Sequence, residues 1–331
     1  MKHFLEGTFL FRGETPGPEA EEPPQDNLSG RKVTMDGKMK LAIAVAALRE
    51  KRKQYAKAPI TGERIHFDCG LSEPVEYLLY RPQSDQKDLP LFIELHGGAW
   101  VANDAVLVDS LCRKIADETP AVVVNLNYKK LDVHPFPYPQ EELCAVISHF
   151  LGNAASYSID PRKVVVCGQS AGAHLAAGAA VMGKDKGLSI RHQILVYPFL
   201  DFTGAHPGPF PESEEDKEYV QMVRKLILGE MDAGHPYISP LVAPQEALRG
   251  IAPATVIVCG PDILRPHGIE YDRLLNQMGI GSTLIDYPHA EHGFLEVNRP
   301  DYSDPHPGKS PEQESFSHDC EDRIIRLLQS L

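Results

Sequence analysis

Gly168-Gln169-Ser170-Ala171-Gly172 sets a serine two positions from a glycine on either side. Alone the pattern is weak, since chance supplies it in about one chain in ten of this length. Its surroundings say more. The run KVVVC before it is apolar and β-branched, as a buried strand is, and AHLAAGAAVM after it is helix-forming. A sharp strand-to-helix turn pushes a serine hydroxyl out at the strand end, and glycines let neighbouring chains pass close by. The same glycines would also suit an ordinary β-α turn, so setting rather than pattern makes Ser170 the candidate nucleophile.

A serine hydroxyl attacks poorly near neutral pH. It needs a general base, an acid that orients the base, and donors for the oxyanion forming on the attacked carbonyl. His96-Gly97-Gly98-Ala99-Trp100 leaves the apolar run LFIEL as a glycine-rich loop, whose N–H groups can join that of Ala171. Gly97, Gly98, Ala99 and Ala171 are thus the expected oxyanion hole. Fourteen histidines compete for the base. With a nucleophile on such an elbow, the acid and then the histidine follow in chain order. His289 and His292 both come after STLIDY, and His292, followed by Gly-Phe and an apolar stretch, is preferred. The acid should leave the preceding strand: Asp262 follows ATVIVCG, with Asp286, inside STLIDY, as the alternative. Asp201 also ends a strand-like run, but an earlier one. The spacing in HAEH does not put two ligands on one helix face as HExxH does, so no metal is expected. This chemistry, acyl transfer through serine, needs no cofactor.

These residues require a scaffold of alternating elements. Strand-like runs occur at IHFDC, VEYLLY, LFIEL, AVVVNLNY, KVVVCG, HQILVYP, ATVIVCG and STLIDY, with helix-like segments near 104–118, 140–154, 171–182, 267–279 and 312–330. That alternation predicts an α/β fold with a mostly parallel sheet covered by helices on both faces. No helix separates the first strands, so the sheet should begin antiparallel. Residues 201–250 break the rhythm and read as an insertion over the site. Met35–Ala56 is helical in pattern, whereas 13–30 is acidic and Pro-rich like a linker or arm. The aromatic stretch Phe4–Phe11 is the expected subunit contact should the chain form a homodimer.

A net charge of −13 argues against a nucleic-acid partner. No run reaches the roughly 18 apolar residues of a membrane span, and the first residues lack the apolar core of a signal peptide. The six cysteines form no CxxC pair and read as buried thiols. A soluble cytoplasmic protein is the expectation.

Taken together, the motifs resemble the hormone-sensitive-lipase-like family of α/β-hydrolases over roughly residues 60–300. HGGAW is similar to its HGGG loop, DPRKVVVCGQSAGAHLAA to its nucleophile segment, NYKKLDVHPFPYPQEEL to its NYRLAPE-PFPAALED block, and GPDILRPHG to its acid-bearing segment. The resemblance implies an eight-stranded sheet, a triad of Ser170, Asp262 and His292, and oxyanion donors from Gly98, Ala99 and Ala171, with Gly97 shaping the loop. It also implies a helical cap. The expected organisation is an arm at 1–34, a cap helix at 35–60, a catalytic domain at 61–200 and 251–331, and a cap insertion at 201–250. Short-chain acyl esters are the implied substrates. An amidase or formamidase, a lactonase or carbohydrate-ester deacetylase, and a non-catalytic receptor are the rivals. Three positions depart from the pattern: Ala99 replaces a glycine, Gln169 an acid, and Ala173 a glycine. Trp100 and Gln169, beside the reacting groups in sequence, are the expected substrate contacts. The loop 298–311 is longer than the family pattern suggests and is expected to fold over the entrance.

Overall fold

A computed structural model describes residues 37–208, 217–306 and 308–331. The arm at 1–34, the stretch Phe4–Phe11 and the acidic residues 209–216 lie outside the described residues. Every expected strand forms: β1 (Glu63–Phe67), β2 (Val75–Tyr80), β3 (Leu89–Leu95), β4 (Val122–Leu126), β5 (Ile159–Gln169), β6 (His192–Val196), β7 (Ala254–Cys259) and β8 (Ser282–Tyr287). They make one sheet in the order β1-β2-β4-β3-β5-β6-β7-β8. β1 and β2 pair antiparallel, β2 runs antiparallel to β4, and all later pairs are parallel.

Side chains alternate between the two faces, as strand geometry requires. Leu91, Ile93 and Leu95 of β3 enter one apolar layer with Val164 and Val166 of β5, while Phe92 enters the other with Val165 and Cys167. β8 is an edge strand, so its apolar run is only half-covered and Leu284 is exposed. All six cysteines are unpaired thiols, five of them buried.

The described residues form seven long helices: α1 (Gly37–Tyr55), α2 (Asp109–Glu118), α3 (Tyr138–Gly152), α4 (Ala171–Asp185), α5 (Lys217–Leu228), α6 (Arg265–Gln277) and α7 (Pro311–Ser330). The expected helix at 104–118 is two pieces, because a 3-10 turn at Ala105–Val108 precedes α2. The Asp109 carboxylate at the junction accepts from the N–H groups of Thr61 and Gly62, the Thr61 hydroxyl and the Tyr80 hydroxyl. Segment 201–250 contributes α5, which lies against α1. No described helix is long and apolar enough to cross a membrane. The parallel strands all point their carboxyl ends one way, and the loops after β3, β5, β7 and β8 therefore converge at one rim.

Candidate active site

Between β5 and α4 a single residue turns the chain. Ser170 takes φ 52° and ψ −111°, a left-handed conformation that costs a non-glycine residue roughly 1–3 kcal/mol and survives only when its surroundings enforce it. The enforcement is steric. A Cβ on Gly172 would sit 1.9 Å from the Leu95 carbonyl oxygen, and one on Gly168 would lie 2.4 Å from the Gly172 carbonyl. Glycine is obligatory at 172 for the elbow to lie this close to β3, and at 168 for the chain to turn back this tightly into α4.

The loops after β7 and β8 meet in the same manner. A Cβ on Gly260 would fall 1.7 Å from the Pro288 carbonyl oxygen, so the two strand exits touch. That contact brings Asp262 to His292. Asp262 is 6% exposed; its Oδ1 accepts from the Leu264 N–H at 2.8 Å and its Oδ2 from His292 Nδ1 at 2.8 Å. On its other side His292 Nε2 lies 2.9 Å from Ser170 Oγ. With Nδ1–H held by the carboxylate, Nε2 is the basic nitrogen and faces the hydroxyl. The alternatives lie elsewhere. Asp286 is bound bidentately by Arg265 at 2.6 Å, His289 is exposed, and Asp201 accepts from Thr203 and His206 in the first turn of segment 201–250.

The HGGAW loop runs along the other side of Ser170. Gly98, Ala99 and Trp100 all have positive φ, at 121°, 49° and 65°. Ala99 therefore holds a glycine-like backbone despite its Cβ. The N–H groups of Gly98, Ala99 and Ala171 make no hydrogen bond among the described residues. Gly97, counted among the donors from the motif but given a loop-shaping role by the resemblance, takes the second role. Its N–H donates to Glu296 Oε1 at 2.7 Å, so it shapes the loop and is not available as an oxyanion donor. Burial raises the pKa of Glu296, against the opposing pull of the Gly97 amide. Behind the loop, Lys130 Nζ donates to His96 Nε2 at 3.1 Å and to the Tyr128 carbonyl at 2.7 Å. His96 Nδ1–H is then left to donate to the Gly97 carbonyl at 2.6 Å. Burial pulls the Lys130 ammonium down to about 8 although Asp104 favours its charge.

Neither expected substrate contact reaches the cavity at Ser170. Trp100 is 2% exposed, turned into a cluster with Phe136, Phe199 and Phe202, and its Nε1–H donates to His174 Nδ1 at 3.1 Å. His174 Nε2–H donates in turn to the Ile238 carbonyl at 2.8 Å. Gln169 is fully buried and donates its amide to Glu94 on β3. Burial pushes the Glu94 carboxyl up to about 7. The acid absent from position 169 is thus present on the adjacent strand.

Around Ser170 and His292 the cavity is walled by Gly98, Ala99, Tyr302 and His306. Tyr302 and His306 come from the long loop after the base, which does fold over this side of the site. Sequence reasoning missed Glu296, Tyr302, His306, Glu94 and Lys130. Only the unusual length of 298–311 signalled any of them.

Comparison with known proteins agrees with this architecture. Residues 92–296 match the family described as alpha/beta hydrolase fold. The carboxylic ester hydrolase LipN of Mycobacterium tuberculosis is 30% identical over 254 residues, which span 71% of this chain and 66% of LipN. Esterase LipI of the same organism is 26% identical over 260 residues, covering 76% of this chain and 81% of LipI. A solved esterase from Pyrobaculum calidifontis superposes with a TM-score of 0.70 at 27% identity, over 90% of this chain and 94% of that one. The chain belongs to the α/β-hydrolase-fold family, in its hormone-sensitive-lipase-like branch.

Proposed function

We propose that this chain is a serine carboxylic-ester hydrolase acting on short-chain acyl esters, with Ser170, His292 and Asp262 as its triad. The observation that carries the reading is the unbroken line from Asp262 Oδ2 through both nitrogens of His292 to Ser170 Oγ. His292 Nε2 takes the hydroxyl proton as Oγ adds to the ester carbonyl, and the imidazolium is stabilised by Asp262. The oxyanion is received by the N–H groups of Gly98, Ala99 and Ala171. Collapse expels the alcohol, which takes the proton from His292. Water, deprotonated by His292, then adds to the acyl-enzyme, and the acid leaves as Oγ recovers its proton. The cavity at Ser170, with a volume of about 50 Å³, supports small acyl groups, and the relatives named carboxylic ester hydrolases and esterases support an ester as the bond cleaved. Helix α1 and segment 201–250 serve as the cap in this reading.

The test is Ser170→Ala assayed on p-nitrophenyl esters from acetate to decanoate. Wild type should favour the short members, and the variant should lose hydrolysis by a factor of at least about 10³ while keeping its fold. Full activity in the variant removes Ser170 from the reaction, and a preference for decanoate removes the short-chain assignment.

A further inference from the structure

The cavity beside Ser170 is small, but its wall is not apolar in the way a fatty acyl pocket would be. Asn103 and His306 both line it. Asn103 has φ 64° on the turn after HGGAW, close enough that a Cβ on Gly98 would lie 2.9 Å from its own Cβ. Its carboxamide makes no hydrogen bond among the described residues. His306 Nδ1 accepts the Gly308 N–H at 3.0 Å, which leaves the ring proton on Nε2 as a donor. Burial, then the neighbouring charge of His292, lowers the His306 pKa to about 4, so near neutral pH the ring is an uncharged donor.

The loop that carries His306 is built to stay in place. Asn298 donates to the Gly308 carbonyl at 3.2 Å and accepts from the Ser310 N–H at 3.3 Å. Lys309 donates to the Tyr302 carbonyl and lies over the Tyr302 ring at 5.2 Å. Asp304 is held from α1 by Tyr55 at 2.7 Å and Lys51 at 2.6 Å, and Asp301 accepts from the Ser110 N–H and hydroxyl. A donor and an amide fixed in advance on a small cavity lose little freedom when a partner arrives, which is what a recognition subsite requires.

We infer that Asn103 and His306 form a polar subsite for a neutral oxygen substituent of the ester, so the substrates are small hydroxylated esters rather than simple alkyl ones. A hydroxyl suits both groups, accepting from His306 Nε2–H and donating to the Asn103 carbonyl oxygen. The inference rests on Ser170 as nucleophile of the adjoining site. Isosteric pairs that exchange hydroxyl for methyl test it without changing size: ethyl lactate against ethyl isobutyrate on the acyl side, and 2-hydroxyethyl acetate against propyl acetate on the alcohol side.

Wild type should favour the hydroxylated member of one pair by about tenfold in kcat/KM, the worth of one good hydrogen bond. His306→Phe and Asn103→Ala should each bring that ratio close to one, whereas His306→Gln, which keeps a donor, should retain part of it. A variant that merely weakens the enzyme scales both esters alike and leaves the ratio intact, as would one with a lowered folded fraction. Ratios near one for wild type in both pairs overturn the subsite, as does an unchanged preference in His306→Phe and Asn103→Ala. Either result, with p-nitrophenyl acetate still cleaved and Ser170→Ala inactive, leaves the triad standing.

Discussion

The two sides of the site are held by different physics. On the strand-end side, backbone meets backbone: Gly168, Gly172 and Gly260 each lie where a Cβ would come within 2.4 Å of main-chain atoms. On the opposite side, α1 and the loop after the base meet through side chains, with Asp304, Tyr55 and Lys51 as the fastening. Main-chain contact fixes reacting groups rigidly and tolerates no substitution. Side-chain fastening allows the loop's composition, and with it the cavity wall, to vary while the elbow stays unchanged. On the proposed reading, the chemistry and the selectivity of this protein rest on separable parts of the fold.

The sharpest way to break this contrast is Gly172→Ala. With the Leu95 carbonyl 1.9 Å from the new methyl, the elbow and β3 must separate, at a cost of at least about 3 kcal/mol. Urea denaturation, or loss of soluble protein, reads it. A variant as stable as wild type would show that the elbow has room to relax. Glu296→Ala should come next. It leaves the buried Gly97 N–H without an acceptor, worth about 1–3 kcal/mol. If this loosens the oxyanion loop, kcat falls roughly tenfold to a hundredfold with KM for acetate esters little moved, a split that steady-state kinetics resolves. Glu296→Gln, which keeps the acceptor, should restore most of the rate. Equal losses in both variants would assign the effect to the carboxylate's charge instead. The smallest effect belongs to Asp304→Ala. Asp304 and Lys51 are 31% and 39% exposed, so their ion pair and the Tyr55 hydrogen bond together contribute about 1 kcal/mol. The thermal midpoint should fall by only a few degrees, whereas the selectivity between isosteric esters should fall measurably. A large loss of p-nitrophenyl acetate turnover would mean that the loop 298–311 also positions the proposed reacting groups.

This division also explains what could be read in advance. Eight strand runs, the elbow and the order of Ser170, Asp262 and His292 were legible because close main-chain approach demands glycine and buried parallel strands demand continuous apolar runs. Trp100 and Gln169 mislead in the sequence because nearness along the chain to Ser170 or the HGGAW glycines is not nearness to the cavity. Strand alternation would have corrected Gln169: it shares its face with Cys167 and so points into the sheet, towards Glu94 on the adjacent strand. Trp100 turns away because two successive left-handed residues, Ala99 and Trp100, reverse the loop. Glu296 lies in a single helical turn, Phe294–Val297, too short to show a period. The positions of Tyr302 and His306 follow from how a loop closes on a distant helix, and no local pattern encodes that.

The buried contact between Gln169 and Glu94 couples two positions on adjacent strands. Exchanging the amide for an acid at position 169 alone would set two carboxyl groups against each other in a dry layer, whereas an amide at both positions leaves a neutral pair. Substitutions at these two positions are therefore not independent. An acid placed at position 169 is expected to cost least in stability when Glu94 becomes Gln with it.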